Sequence, residues 1–161
     1  MDYTIKTLLT REEVEKRIKE LAKEIEKDYC GKDLLVIGLL KGSIMFMSDL
    51  IKEMDLPVMI DFMSVSSYGN AMESSGSVKI LKDLDVDIKD KNVLIVEDII
   101  DSGLTLSNLT RELQARGPKA LKICTLLDKP ERRKADIPVD YVGFVIEDKF
   151  IVGYGIDYAE K

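Results

Sequence analysis

The sequence predicts an α/β fold, a single domain with a largely parallel, twisted sheet flanked by helices, and three observations predict it. Short continuous apolar runs, "LLVIGLL" (34–40), "NVLIVED" (92–98) and "ALKICTLLD" (120–128), have the length of strands buried on both faces. Stretches whose apolar residues recur at helical spacing lie between them, and strands alternating with helices demand crossover connections. A chain of 161 residues with 45% hydrophobic content is the size of one domain and fills one core, so residues 1–161 are expected to form a single unit.

Each element has its own warrant. Residues 10–28 read as a helix, because Thr10 and Glu13 have capping-box spacing and Val14, Ile18, Leu21 and Ile25 share a face. After strand 34–40, "KGS" leads into "IMFMSDLIKEM", again at helical spacing. "LPVMIDFMSV" (56–65) is a further strand with Pro57 near its start, followed by the small, polar "SSYGNAMESSGS" (66–77), a loop, and the short strand "VKILKDL". Strand 92–98 precedes a helix with Leu106, Leu109 and Leu113 on one stripe, which "RGP" ends. Strand 120–128, the charged loop "KPERRKADIPV" and the strand "YVGFVI" follow.

Composition excludes several chemistries. The chain has no histidine, which removes imidazole bases, histidine triads and histidine-ligated zinc, and proton transfer falls to Asp, Glu, Lys or Tyr. The net charge of −6 has the wrong sign for a protein held mainly by phosphate-backbone contacts, so no nucleic-acid partner is expected. Cys30 and Cys124 are isolated and read as reduced thiols packed as small apolar groups. No apolar run approaches the roughly 20 residues of a membrane span, and "MDYTIKTLLT" lacks signal-peptide features. A cytoplasmic protein without a membrane partner is the expectation.

The segment "VLIVEDIIDSGLTL" (93–106) carries the chemistry. Ligands of open parallel sheets collect beyond the carboxyl ends of strands, where this segment puts Glu97, Asp98 and Asp101. Gly103 then makes a tight turn beside the Ser102 and Thr105 hydroxyls, ahead of a helix whose first N–H groups lack internal partners and favour a phosphate. Acids for sugar hydroxyls or Mg²⁺ beside an anion cradle suit a sugar phosphate. The bland alternative makes the three acids solvated or capping groups, with Asp101 as helix N-cap. Walker and dinucleotide fingerprints are absent.

That segment resembles the phosphoribosyl-pyrophosphate (PRPP) motif of the type I phosphoribosyltransferases, in the wording of their hypoxanthine-guanine branch. "LLKGSIMFMSDL", "SSYGN", "LKDLD", "LLDKPERR" and "GFVIEDKFIVGYGIDYAEK" resemble the same family in the right order, so the similarity covers nearly the whole chain. The resemblance implies the type I phosphoribosyltransferase fold with a small hood, Mg²⁺ as cofactor, PRPP and 6-oxopurine bases as small-molecule partners, and a homodimer or homotetramer.

It also implies roles. Glu97 and Asp98 would face the ribose hydroxyls and a bound Mg²⁺, and Asp157 would ligate a second one. Asp101, Ser102, Gly103, Leu104 and Thr105 would wrap the 5′-phosphate, and Asp101 would take the proton from purine N7. Lys129 would donate to the exocyclic oxygen at purine position 6, Phe150 would stack on the ring and Ile151 would meet the 2-position through its carbonyl. Lys41 and Gly42 would hold pyrophosphate through backbone amides, in a loop with a non-proline cis peptide, while Ser67 and Tyr68 would belong to a loop that closes over the reaction. Read without the resemblance, Lys129 is a solvated loop lysine, Phe150 and Ile151 are core residues and Asp157 is a surface acid.

Two rival expectations stand beside this one. The first is a nucleotide-sensing, RNA-binding regulator on the same scaffold, which the acidic balance and the presence of Asp101 and Lys129 oppose. The second is a weakly active PRPP-binding scaffold, because the family usually continues past "GIDYAEK" with a segment whose arginine contacts pyrophosphate.

Overall fold

The computed structural model describes residues 4–67 and 78–156 of the chain. Among the described residues ten elements follow one another: α1 (Arg11–Asp28), β1 (Leu34–Leu39), α2 (Ile44–Glu53), β2 (Val58–Ser67), β3 (Val78–Lys82), β4 (Asn92–Ile100), α3 (Leu104–Gln114), β5 (Ala120–Asp128), a short 3₁₀ turn (Pro130–Arg132) and β6 (Tyr141–Val145). The six strands form one sheet in the order β3-β2-β1-β4-β5-β6. All neighbours are parallel except β3, which lies antiparallel to β2 at one edge. This is the predicted α/β class.

Alternate residues of a strand face opposite sides, and the apolar runs feed two cores by that rule. From β1, Leu34 and Val36 pack under α1 and α2, while Leu35, Ile37 and Leu39 pack under α3. From β4, Leu94 and Val96 go to the first core and Val93 and Ile95 to the second. Helix α1 contributes Ile18, Leu21, Ala22 and Ile25, α2 contributes Phe46, Met47 and Leu50, and α3 contributes Leu106, Leu109 and Leu113. Each fully buried aliphatic side chain contributes about 1.5–3 kcal/mol relative to exposure. Burial on both faces is what the unbroken apolar runs require.

The start of α1 follows the predicted cap. The Thr10 hydroxyl accepts from the Glu13 N–H and the Glu13 carboxylate accepts from the Thr10 N–H, both at 3.1 Å, which satisfies two donors that the helix leaves open. Arg17 then ties α1 to the edge strand β6 by donating to the carbonyls of Gly143 and Val142 at 2.8 and 2.7 Å.

Three expectations are corrected. Strand β2 begins at Val58, just after Pro57, whose missing N–H keeps it out of the ladder. It also runs on through Ser66 and Ser67, expected in the loop, because both pair with β3. Tyr68 and the rest of the loop to 77, with Asp157, lie outside the described residues. Finally, β4 does not stop at Asp98 but continues to Ile100, since Ile99 and Ile100 keep pairing with Leu127 and Asp128 of β5.

Candidate active site

Chain order reverses across the sheet between β1 and β4, and the registers of their neighbours open a cleft there. Strand β1 keeps pairing with β4 only as far as Gly38 opposite Val96, whereas β5 accompanies β4 to Ile100. Glu97 and Asp98 therefore sit within the strand at the point where its β1 neighbour has turned away. A cleft of about 290 Å³ lies here, lined among others by Lys41, Gly42, Glu97, Asp98 and Thr105.

The β1 side of the cleft is closed by local bonds. Buried Ser43 donates its hydroxyl to the Leu39 carbonyl at 2.6 Å, the Ile44 N–H donates to the Lys41 carbonyl at 3.2 Å, and the Leu40 N–H reaches Met63 of β2 at 2.9 Å. The Leu40–Lys41 peptide is cis, in the loop where the resemblance implies such a bond. Gly42 comes against β4 so closely that a Cβ there would fall 2.3 Å from Asp98 Oδ2.

Glu97 and Asp98 are half-buried neighbours on the floor. Asp98 donates its N–H to Glu97 Oε1 at 3.2 Å, and its own Oδ1 accepts from Ile99 N–H at 2.8 Å. Burial pushes the Glu97 carboxyl well above the ordinary carboxylate range, and the adjacent Asp98 adds to the shift by hydrogen bond and charge. Glu97 and Asp98 thus place two carboxylates side by side in the cleft. Hard divalent cations such as Mg²⁺ bind through one or two carboxylates plus substrate oxygens, so this pair fits the ion that the resemblance implies.

On the other side, Ile100 pairs with Asp128, so Asp101 and Lys129 leave the sheet side by side. The Lys129 N–H donates to the Ile100 carbonyl at 3.0 Å, and Nζ lies 3.4 Å from Asp101 Oδ1. Lys129 is only 7% exposed, which corrects its reading as a solvated loop lysine. Asp101 is not the N-cap of α3. That position belongs to Gly103, whose φ of +76° is a left-handed conformation that lacks a steric penalty only for glycine, and no side chain caps the helix there. Ser102 Oγ instead accepts from the Leu104 N–H at 3.3 Å, and Leu104 and Thr105 are half-buried in the first turn.

Phe150 is 78% exposed, so the core reading fails for it, whereas Ile151 is partly buried against the α1 and α2 core. The chain then returns over α2: the Tyr154 hydroxyl donates to Asp49, and a Cβ at Gly155 would stand 2.9 Å from Met45 Cγ and 3.6 Å from the Gly42 carbonyl. The last described residues thus lie beside the β1 loop.

The sequence reading gave no role to Asp128 and Arg133, although it quoted both in "LLDKPERR". Pro130 opens a 3₁₀ turn that folds Arg133 back onto the end of β5, where its Nη2 pairs with Asp128 Oδ1 and its Nε donates to the Asp101 carbonyl at 3.3 Å. An acid closing a buried strand, with an arginine five residues on across a proline turn, is the signal that was available.

The geometry is that of a type I phosphoribosyltransferase: acids at a sheet switch point, a glycine turn opening a helix, and a lysine on the neighbouring strand end. The phosphoribosyl transferase domain family matches residues 4–159. Hypoxanthine phosphoribosyltransferase of Salmonella typhimurium is 53% identical over all of this chain and 92% of its own length, and hypoxanthine-guanine phosphoribosyltransferase of Bacillus subtilis is 54% identical over 97% of this chain and 87% of its own. The crystal structure of a hypoxanthine-guanine phosphoribosyltransferase from Bacillus anthracis, with HEPES in its active site, superposes with a TM-score of 0.94 at 57% identity, covering 99% of this chain and 94% of that one. The chain belongs to the phosphoribosyltransferase family and is similar throughout to its hypoxanthine-guanine branch. It is an enzyme, a glycosyltransferase of the pentosyl class.

Proposed function

We propose that this enzyme serves purine salvage, transferring the 5-phosphoribosyl group from PRPP to N9 of hypoxanthine or guanine and releasing IMP or GMP with pyrophosphate. The carrying observation is the Asp101–Lys129 pair, 3.4 Å apart at the ends of adjacent strands and directly before the glycine turn. One side chain suits acceptance of a proton from purine N7, and the other suits donation to the oxygen at position 6. A 6-amino group opposite Lys129 would set donor against donor and leave buried polar groups unpaired, so 6-oxopurines are favoured.

The other roles follow on this reading. Backbone donors from Ser102 through Thr105 receive the 5′-phosphate at the start of α3, with the helix dipole favouring the negative charge. Glu97 and Asp98 orient the ribose hydroxyls and, with Asp157, hold Mg²⁺. The ion, when bound, supplies neutralisation of the pyrophosphate leaving group. Lys41 and Gly42 hold the pyrophosphate, Phe150 stacks on the purine, Ile151 meets its 2-position, and Ser67 and Tyr68 help exclude water as the ribosyl centre becomes oxocarbenium-like. Asp101 acts as general base while N9 captures C1′. The reaction so written passes through no covalent protein intermediate, so positioning and electrostatic stabilisation carry the rate.

Residues 1–161 act on this proposal as one domain in a homodimer or homotetramer of the cytoplasm. No helix among the described residues is long and apolar enough to cross a membrane.

The test is nucleotide formation from PRPP and Mg²⁺ with hypoxanthine, guanine, xanthine and adenine in turn, with pyrophosphate release followed in parallel. Product from 6-oxopurines and little from adenine is expected. PRPP binding without any product would return the weak-scaffold reading, and tight RNA binding at moderate salt would return the regulator.

A further inference from the structure

Arg133 and Asp128 have no part in the roles above, yet they organise the turn that would carry the phosphate. The two side chains form an ion pair in which Arg133 is 19% and Asp128 13% exposed. The same guanidinium donates through Nε to the Asp101 carbonyl at 3.3 Å. The next carbonyl, that of Ser102, accepts from the N–H groups of Lys134 and Ala135 at 2.8 and 3.2 Å. Two successive carbonyls of the turn are therefore captured by the segment 133–135.

The orientation of the peptide planes follows. In a trans peptide the C=O and N–H point to opposite sides. With the carbonyls of Asp101 and Ser102 turned towards 133–135, the N–H groups of Ser102 and Gly103 are turned the other way. No backbone carbonyl among the described residues accepts from either of them. Gly103 is fitted to this arrangement: a Cβ there would stand 3.0 Å from Arg133 Cδ and 3.1 Å from Ile137 Cδ1. Arg133 is suited to the task because its rigid, planar fork presents Nε and Nη2 at a fixed separation, one to the carbonyl and one to the carboxylate, whereas an ammonium offers its donors from a single nitrogen. Asp128 keeps that fork in place from the last residue of β5.

We propose that Arg133, anchored by Asp128, is a positioning residue that turns the 101–103 peptides so that their N–H groups face the 5′-phosphate of the substrate. The inference rests on the transferase reading above and assigns to this pair the preorganisation of its phosphate cradle. Its signature is selective: PRPP binding depends on the pair, whereas the purine contact through Lys129 does so much less.

The experiment compares wild type with Arg133→Ala, Arg133→Lys and Asp128→Asn by the KM for PRPP, the KM for hypoxanthine, kcat and the thermal midpoint, with Mg²⁺ saturating. Arg133→Ala is expected to raise the KM for PRPP about 10-fold or more, the scale of a lost charged hydrogen bond, with the KM for hypoxanthine changed by less than about 2-fold. Arg133→Lys keeps a cation beside Asp128 and protects the fold, but lacks the second arm of the fork, so its KM for PRPP stays raised while its thermal midpoint returns towards wild type. If both substrates' KM values move together in step with the thermal midpoint, or neither moves, the positioning role is overturned and the pair is structural. A wild-type enzyme that forms no nucleotide overturns the transferase reading instead, so the two failures are distinct.

Discussion

Lys129 Nζ lies 3.4 Å from Asp101 Oδ1, joining a side chain that is 8% exposed to one that is 48% exposed. The pair exists because β4 and β5 end together, with Ile100 opposite Asp128, and the next residue of each strand emerges at the same edge. A half-exposed ion pair contributes about 1 kcal/mol or less to folding. Its importance is chemical, since it holds an acceptor and a donor within reach of one planar ligand.

The first prediction concerns the acceptor. Asp101→Asn preserves the shape of the turn and the backbone donors after it but removes the base. PRPP binding should remain within a few-fold of wild type while turnover falls roughly 10²-fold or more, the usual scale of general-base loss. Calorimetric PRPP titration beside steady-state kinetics checks this, and undiminished turnover would remove Asp101 from the role.

The donor gives the second. Lys129→Ala should lower kcat/KM for hypoxanthine and guanine by about 10- to 100-fold, the worth of a hydrogen bond to a charged group, and should lower the residual rate with adenine much less. The fold should be little affected, because the Asp101 left behind is half solvated. Measuring all three bases on one preparation decides the matter, since an equal loss for adenine would sink the recognition argument.

What the sequence made legible is what local physics determines. The Thr10 to Glu13 cap closes over three residues, and the apolar runs of β1, β4 and β5 state their burial on both faces within themselves. The extent of β4 was not legible, because Ile99 and Ile100 belong to the strand only through partners nearly thirty residues away on β5. The same holds for Lys129, whose burial depends on the β4 end, and for Arg133, whose reach to the Asp101 carbonyl spans 32 positions. Asp101 read as a cap by residue type, yet Gly103 holds that position because the backbone there is left-handed. Glu97, Asp98, Asp101 and the glycine turn were legible from their place at a strand end, whereas the roles of Lys41, Lys129, Ile151 and Asp157 came from motif resemblance, and Phe150 shows why type alone misleads, since a phenylalanine read by type as a core residue stands exposed.

A third prediction tests the contact across the cleft. A methyl group at position 42 would fall 2.3 Å from Asp98 Oδ2, and Asp98 has little room to yield because its Oδ1 accepts from the Ile99 N–H. Gly42→Ala should therefore displace the Asp98 carboxylate, costing about 1 kcal/mol of stability for the disturbed hydrogen bond. The larger effect is expected on activity, which should fall on the order of 10²-fold, the consequence of misplacing a positioned group by about 1 Å. Wild-type activity in a folded Gly42→Ala protein would mean that Asp98 need not keep its place.

The fourth prediction follows from Glu97. Its carboxyl is raised well above the ordinary 4.5, first by burial and then by Asp98. A raised acid binds its proton in the folded state over a range where the unfolded chain has already released it. Folding stability attributable to Glu97 is therefore fully present below about pH 4.5 and is lost progressively as pH rises towards the folded value. Glu97→Gln, which keeps the shape without the titration, should match or exceed the thermal midpoint of wild type at pH 8 in EDTA and lose that advantage at pH 5. Each kcal/mol appears as about 2–4 °C in a chain of this size. Parallel melting curves for the two proteins across pH 5 to 8 would mean that Glu97 ionises in the cleft at no cost. Convergence towards low pH would show that the fold carries a strained acid at the point where the transferase reading requires a cation.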